Sequence, residues 1–447
     1  MQRSRFPTSP RRSPVARIAP TGAAANCIHG YTDHAYFGLP VQSFETLSPL
    51  GPDGVSALRR RLEGVSYLIV DEKSMISLVK LAWVDQRLRE AYPESNDYPF
   101  AGFSITVAGD FYQLPPVSGM ALFEARPHTT MAIADKNTYD ALSVTIRFVT
   151  LVRQSDTDAS SIAFRRVLEN MRQGNPDLTD FRTLEPRLLS MLERRERLLL
   201  RNRPSISLLR GTASNEMNYS RLRDANVPVL LLRARHRHPR YASISSTNFN
   251  YLTAELLLSI GARVMLTTNI WTEAGLVTGS RGYVVDIVRH ADVTDLRTTL
   301  PAYILIYFPK YTGPALPYDI PGVPKPSKVV PIFPCRRYRT QNTTRTSTDN
   351  QWREQFPLMV SYGMTIHKSR GMTLDLAIVD LKARGTPRPL GLLYVALSRV
   401  WRLEHLTIFA DITLDDTRPN VNRALEVRRL DEANRAPQVL LPPLGPP

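Results

Sequence analysis

Residues 65–72 read VSYLIVDE, and residues 103–110 read FSITVAGD. In each, a mainly apolar run stops at an acidic pair or a Gly-Asp step. Continuous rather than alternating hydrophobicity suits a strand covered on both faces, as in a parallel sheet flanked by helices. A helical pattern follows the first run, from Ser74 to about Ala91. Upstream, VARIA (Val15–Ala19) stops at Pro20-Thr21-Gly22 and a small-residue stretch follows, which reads as strand, turn and helix. A further helix is predicted from Asp158 to Gln173, ended by Gly174-Asn175-Pro176. LAIVDL (Leu376–Leu381) and LTIFA (Leu406–Ala410) form a second, late strand set. The expected fold class is therefore α/β with mainly parallel sheets.

Between Gly261 and about Phe356 the character changes. RVMLT, GYVVDIV and AYILIYF are short β-like pieces, and Pro- and Thr-rich stretches surround them. A small β-rich insertion with a long exposed loop is expected there. The Arg- and Ser-rich opening and the Pro-rich tail PQVLLPPLGPP read as disordered, with mitochondrial import the alternative for the opening.

The chain has 447 residues, 43% of them hydrophobic, and a formal net charge of +16 with pI near 10.0. Such a length supports two or three domains with a sizeable core. The basic excess points to a polyanionic partner, because Lys and Arg displace counterions from phosphates. Cys27 and Cys335 lie far apart in no metal-ligand spacing, which argues against a disulfide framework or a zinc site. No apolar run reaches the roughly 20 residues of a membrane span.

An Asp-Glu pair ending a buried strand suits nucleotide hydrolysis: Asp71 to hold Mg²⁺ and Glu72 to polarise a water. The plainer alternative is an acidic helix start that favours the N-terminal dipole. GDFYQLPPV places Gln113 to touch a ligand over the carboxyl edge, and Leu114-Pro115-Pro116 stiffens the exit. TIHKSRGMT (Thr365–Thr373) gathers His367, Lys368, Ser369 and Arg370 in one loop suited to a phosphodiester backbone. Arg399, the one charge in YVALSRV, and Arg153, in LVRQSD, read either as γ-phosphate arginines or as partners of a core-edge carboxylate.

LIVDEKSMIS, VAGDFYQLPPV, LVRQSD, GARVMLTTNIW, GLVTGSRG, MTIHKSRGMTLD and YVALSRV occur in the order seen in the petite integration frequency (Pif) helicases, which are RecD-like and of superfamily one. The forms most resemble the helicase portion of Helitron transposons. The resemblance implies two RecA-like domains, ATP with Mg²⁺ as cofactor, and ATP-driven 5′-to-3′ movement that unwinds DNA. Repair, recombination, telomere maintenance or transposition are the settings it suggests. It also implies a small SH3-like insertion, single-stranded and forked DNA as partners, a monomer, no membrane and a nuclear location.

Carried over, Asp71 binds the metal, Glu72 activates water, and Gln113, Arg153 and Arg399 meet the γ-phosphate. Thr21, Gly22, Thr365, His367, Lys368, Ser369 and Arg370 contact DNA. The expected organisation is a disordered 1–14, a first RecA-like domain over 15–150, a second over 151–260 and 357–425, the insertion at 261–356, and a disordered 426–447.

Three departures stand out. Arg370 occupies a position where relatives usually have Gln, and Thr278 one where they have Asn. No Gly-Lys dipeptide occurs anywhere, so the Gly-Lys-Ser/Thr phosphate loop has no counterpart. The expectation is a first domain that lacks its phosphate-loop unit, and a helicase impaired for that reason. A catalytically silent, single-strand-binding remnant is the second reading, and an unrelated basic DNA-binding protein or nuclease the third.

Overall fold

The computed structural model describes residues 13–40, 47–124, 130–148, 152–196, 206–209, 213–291, 299–317, 320–325, 327–339, 351–381, 391–409, 411–417, 423–435 and 438–440. The opening up to residue 12, the Thr-rich stretch at 340–350 and the tail from 441 lie outside them. Two compact units emerge. The first comprises Met1–Thr183, Ala383–Val395 and Thr413–Pro447; the second comprises Leu184–Lys382 and Ala396–Ile412.

In the first unit β1 (Val15–Ala19), β2 (Tyr31–Thr32), β3 (Tyr67–Val70) and β4 (Ser104–Val107) form a wholly parallel sheet in the order β2-β1-β3-β4. The register pairs Ile18 with Val70 and Val70 with Val107, so three apolar runs end level. Their exits are then tied together. The Asp71 N–H donates to the Ile18 carbonyl at 2.8 Å and the Ala108 N–H to the Val70 carbonyl at 2.8 Å.

The helix expected from Ser74 starts later. Lys73–Met75 form a 3₁₀ turn, Ile76 is extended, and the α-helix runs Leu78–Ala91. Ser77 explains the delay, since its side chain accepts the Lys80 N–H and caps the helix there. Leu78, Leu81, Val84, Leu88 and Ala91 then form its buried stripe against the sheet. The helix Ala159–Gln173 follows its predicted bounds, capped by Asp158 and ended by Gly174 in the left-handed region. The helix Arg423–Asn434 and a short parallel pair, β5 (Thr145–Arg147) with β20 (Gln438–Leu440), complete this unit.

The second unit holds its own parallel sheet of β6 (Ile206–Leu209), β17 (Gly363–Thr365), β18 (Ala377–Val379) and β19 (Leu406–Ile408), ordered β17-β6-β18-β19. Two parallel sheets with flanking helices are the α/β class read from the sequence. An antiparallel pair, β7 (Leu230–Arg233) and β9 (Glu255–Leu258), stands beside a three-stranded sheet. The latter joins β8 (Arg235–His236), β14 (Cys335–Tyr338) and β15 (Trp352–Gln355).

The β-rich region is a five-stranded antiparallel sheet of β10 (Arg263–Leu266), β11 (Arg281–Val288), β12 (Tyr303–Tyr307), β13 (Val329–Ile332) and β16 (Leu358–Val360). Gly282 in β11 lies so close to β12 that a Cβ would stand 2.5 Å from the Tyr307 carbonyl oxygen. That approach requires glycine at 282, whereas Gly279 of the same GSRG serves a turn with φ 93°. Among the described residues no helix is long and apolar enough to cross a membrane.

Candidate functional site

At the carboxyl edge of the first sheet, Thr21 caps the short helix Gly22–Cys27, its Oγ1 accepting the Ala24 N–H at 3.2 Å. Its own O–H is left to donate elsewhere. Gly22 is buried beneath it. At the end of β3 the Asp71 Oδ1 accepts the Glu72 N–H at 2.8 Å. Glu72 itself adopts the left-handed region, with φ 56° and ψ 47°. For a non-glycine residue this costs about 1 kcal/mol or more and must be held by its surroundings. The holding contact is a Lys73 N–H donated to the Ala108 carbonyl at 2.7 Å. Gly109 then passes so close that a Cβ would lie 2.6 Å from the Lys73 nitrogen. The acidic pair and the GDFYQ segment are therefore one interlocked double turn.

Asp110 has a structural partner that the local sequence conceals. It receives Arg172 bidentately, from Nη2 at 3.0 Å and Nε at 3.1 Å, and accepts the Tyr112 N–H at 3.0 Å. Burial works to lower the Arg172 guanidinium, but the Asp110 carboxylate reverses this and holds it above its ordinary value. The same guanidinium lies 4.1 Å from the Tyr112 ring centre, and the Tyr112 O–H donates to Glu432 at 3.3 Å. Asp110→Ala is expected to lower stability by about 2 kcal/mol, because it strands a half-buried guanidinium; denaturant unfolding measures it.

Tyr112 and Gln113 are also packed from Gly391, where a Cβ would stand 2.3 Å from the Tyr112 oxygen. The Gln113 N–H donates to the Asp110 carbonyl at 3.2 Å, while its Oε1 is buried with no hydrogen-bond partner among the described residues. A buried carboxamide oxygen left so is costly unless a ligand completes it.

Arg153 is half-buried in the same unit. Burial lowers its guanidinium from the ordinary value, and Tyr394, Glu72 and Cys27 pull it back up. Glu72, expected with Arg153 at the γ-phosphate, is thus one of the charges that act on it. Lys73, which sequence reasoning left unassigned, is also drawn down by burial, against the raising fields of Glu432, Asp110 and Asp431. Its ammonium sits 4.2 Å from the Phe111 ring centre.

The second unit carries the remaining candidates. Thr365 ends β17, and Ile366–Ser369 form a 3₁₀ turn rather than an open loop. The turn is closed by the buried Ser369 hydroxyl, which donates to the Ile366 carbonyl at 2.8 Å. His367 and Lys368 face solvent, whereas Ser369 and Arg370 are buried. Arg399 is 2% exposed; its Nη2 donates to the Ser398 Oγ at 2.8 Å and its Nη1 to the Met372 carbonyl at 3.3 Å. Thr278 donates its N–H to the Asn269 side chain at 2.8 Å.

The PIF1-like helicase family matches residues 7–181, the stretch that contains the interlocked double turn and Arg153. Over that stretch the chain is similar to the family. The ATP-dependent DNA helicase Pif1 of a Psychrobacter strain is 26% identical over 430 residues, covering 89% of this chain and 62% of the relative. The human ATP-dependent DNA helicase PIF1 is 26% identical over 396 residues, covering 87% of this chain and 53% of its own length. This Pif1-like chain therefore spans between about half and 62% of those relatives.

The crystal structure of the Candida albicans Pif1 helicase superposes with a TM-score of 0.67 at 23% identity, covering 94% of this chain and 88% of that one. The Bacteroides Pif1 helicase in complex with ADP-AlF3 and single-stranded DNA gives 0.66 at 23%, covering 94% and 87%. The Pif1 fold extends across nearly the whole Pif1-like chain, far beyond the segment that the family pattern matches.

Proposed function

We propose that the chain is the motor portion of an ATP-dependent DNA helicase that moves 5′ to 3′ along a single strand. In this reading each unit contributes one RecA-like domain, and the antiparallel sheet of the second is an SH3-like insertion. The observation that carries the proposal is the double turn that holds Asp71 and Glu72 against Gly109 at the carboxyl edge of the sheet. On the same segment the Gln113 carboxamide oxygen is buried and unpaired among the described residues.

These residues suit one end of a magnesium nucleotide. Among the described residues no cluster of three or more His, Cys, Asp and Glu side chains could hold a metal unaided. Mg²⁺ keeps several waters and shares substrate phosphates, so the single carboxylate of Asp71 is an appropriate anchor. Bound ATP supplies the phosphoanhydride whose cleavage drives movement. Glu72 orients and deprotonates water, Gln113 offers its buried carboxamide to the terminal phosphate, and Arg153 neutralises charge there; for Arg399 a γ-phosphate role rests on the resemblance alone. The grip on the inner phosphates is what these residues do not supply, since no Gly-Lys dipeptide is present.

DNA is held through the exposed His367 and Lys368, the Thr365 end of β17 and the Thr21–Gly22 turn, in a monomer acting in the nucleus. Fluorescence anisotropy with single-stranded and duplex probes across a salt series tests this. The chain is expected to prefer the single strand, with a log–log salt slope of about −0.7 per phosphate contacted. Lys368→Ala is expected to flatten that slope by about one such contact. Absence of single-strand binding, or binding indifferent to salt, contradicts the proposal.

A further inference from the structure

The loop that precedes β9 is built around an exposed aromatic. Phe249 and Leu252 are buried at 0% and 1% exposure, yet Tyr251 between them is 53% exposed. Asn250 and Tyr251 are consecutive non-glycine residues in the left-handed region, with φ 50° and 64°. Such strain persists only when the surroundings over-determine it, and it gathers at functional sites. Here the surroundings are explicit. The Tyr251 N–H donates to the Ser246 carbonyl at 2.8 Å. The fully buried Arg353 guanidinium donates to the carbonyls of Leu252 and Ile244 at 2.8 Å and of Tyr241 at 3.0 Å. Rather than relaxing or burying its tyrosine, the loop holds the ring beside the Lys368 ammonium, which lies 5.7 Å from the ring centre.

We propose that Tyr251 is a stacking platform for a nucleobase of single-stranded DNA, with Lys368 taking the adjoining phosphate. The proposal rests on the DNA-binding reading above and adds to it a residue outside every motif recognised in the sequence. An aromatic face beside a cation matches the two halves of a nucleotide, and stacking of this kind is indifferent to base identity. A duplex, whose bases are already stacked, does not offer the ring a free face, so a single strand is the partner it fits.

Affinity for a short oligothymidylate is to be compared with affinity for an abasic oligomer of the same length and charge. The wild-type chain is expected to favour the oligothymidylate by about tenfold or more. Tyr251→Gly is expected to abolish this preference and leave abasic binding unchanged. Its melting temperature should hold or rise, since glycine accepts the left-handed conformation without strain. Tyr251→Phe is expected to keep the preference. A Tyr251→Gly chain that still prefers bases, or that loses both probes together, overturns the role of Tyr251 while the DNA-binding reading stands. A wild-type chain that binds neither probe overturns both.

Discussion

Arg353→Ala is expected to destabilise the second unit by about 4 kcal/mol, the cost of breaking a buried charged network from one side. Arg353 sits on β15 with no exposure at all, and its guanidinium donates to the carbonyls of Leu252, Tyr241, Ala242 and Ile244. It also lies 4.4 Å from the Phe249 ring centre. Burial pushes its pKa down to about 10, which leaves it charged at neutral pH. Alanine strips four carbonyls of their donor, two of them fully buried, and leaves a cavity as well. Lysine cannot reproduce the planar fork, so Arg353→Lys is expected to recover less than half of the loss. Denaturant unfolding reads the loss, and hydrogen exchange of residues 241–252 assigns it to this unit: protection there should collapse in Arg353→Ala while β1, β3 and β4 keep theirs.

Gly109→Ala should act on the other unit with comparable force, about 3 kcal/mol. Gly109 has φ 133°, and a Cβ there would stand 2.6 Å from the Lys73 nitrogen and 3.2 Å from the Glu72 Cα. The obstructing atoms are backbone, so no rotamer relieves them. Gly64 is the internal control: its φ is 76° but nothing lies within 4 Å of its added Cβ. Gly64→Ala should therefore show only the conformational penalty, about 1 kcal/mol. The difference between the two in thermal or denaturant unfolding isolates the interlock that positions Asp71 and Glu72. Equal losses would mean that this interlock does not exist.

β3, β12, β18 and β19 were legible because each lies in a short, largely apolar run, whereas the charged β8, β14 and β15 carry no such signal. The helix Ala159–Gln173 was legible because Asp158 and Gly174 mark its ends with chemistry that acts locally. What stayed hidden depends on partners distant in the chain. Asp110 reads as a free carboxylate at a strand tip until Arg172, 62 residues on, is seen to occupy both of its oxygens. Lys73 reads as a surface cation until burial and the acids of the helix Arg423–Asn434 surround it. Nothing in TNFNYLT announces a strained loop, since Arg353, which organises it, lies more than 100 residues away.

Periodicity also misplaced the start of the helix after β3, because Ser77 caps it where the hydrophobic pattern already ran on. The cluster at Thr365–Arg370 was found by composition alone. Composition does not reveal that only His367 and Lys368 of its polar residues face outward, because the 3₁₀ turn that buries Ser369 has no sequence signature. Motif order, by contrast, carried the resemblance to Pif1 helicases, relatives only 26% identical over 430 residues.

In the proposed function Asp71, Glu72, Gln113, Arg153 and Arg399 take the metal, water and γ-phosphate roles of a helicase, while no Gly-Lys dipeptide is present to grip the inner phosphates. Steady-state ATP turnover by the 447-residue chain, with saturating single-stranded DNA, tests this reading most directly. Turnover well below about 1 s⁻¹, the low end of ordinary enzyme rates, is the expected result. DNA-stimulated turnover above that rate would contradict the account, because some other part of the chain would then have to grip the nucleotide.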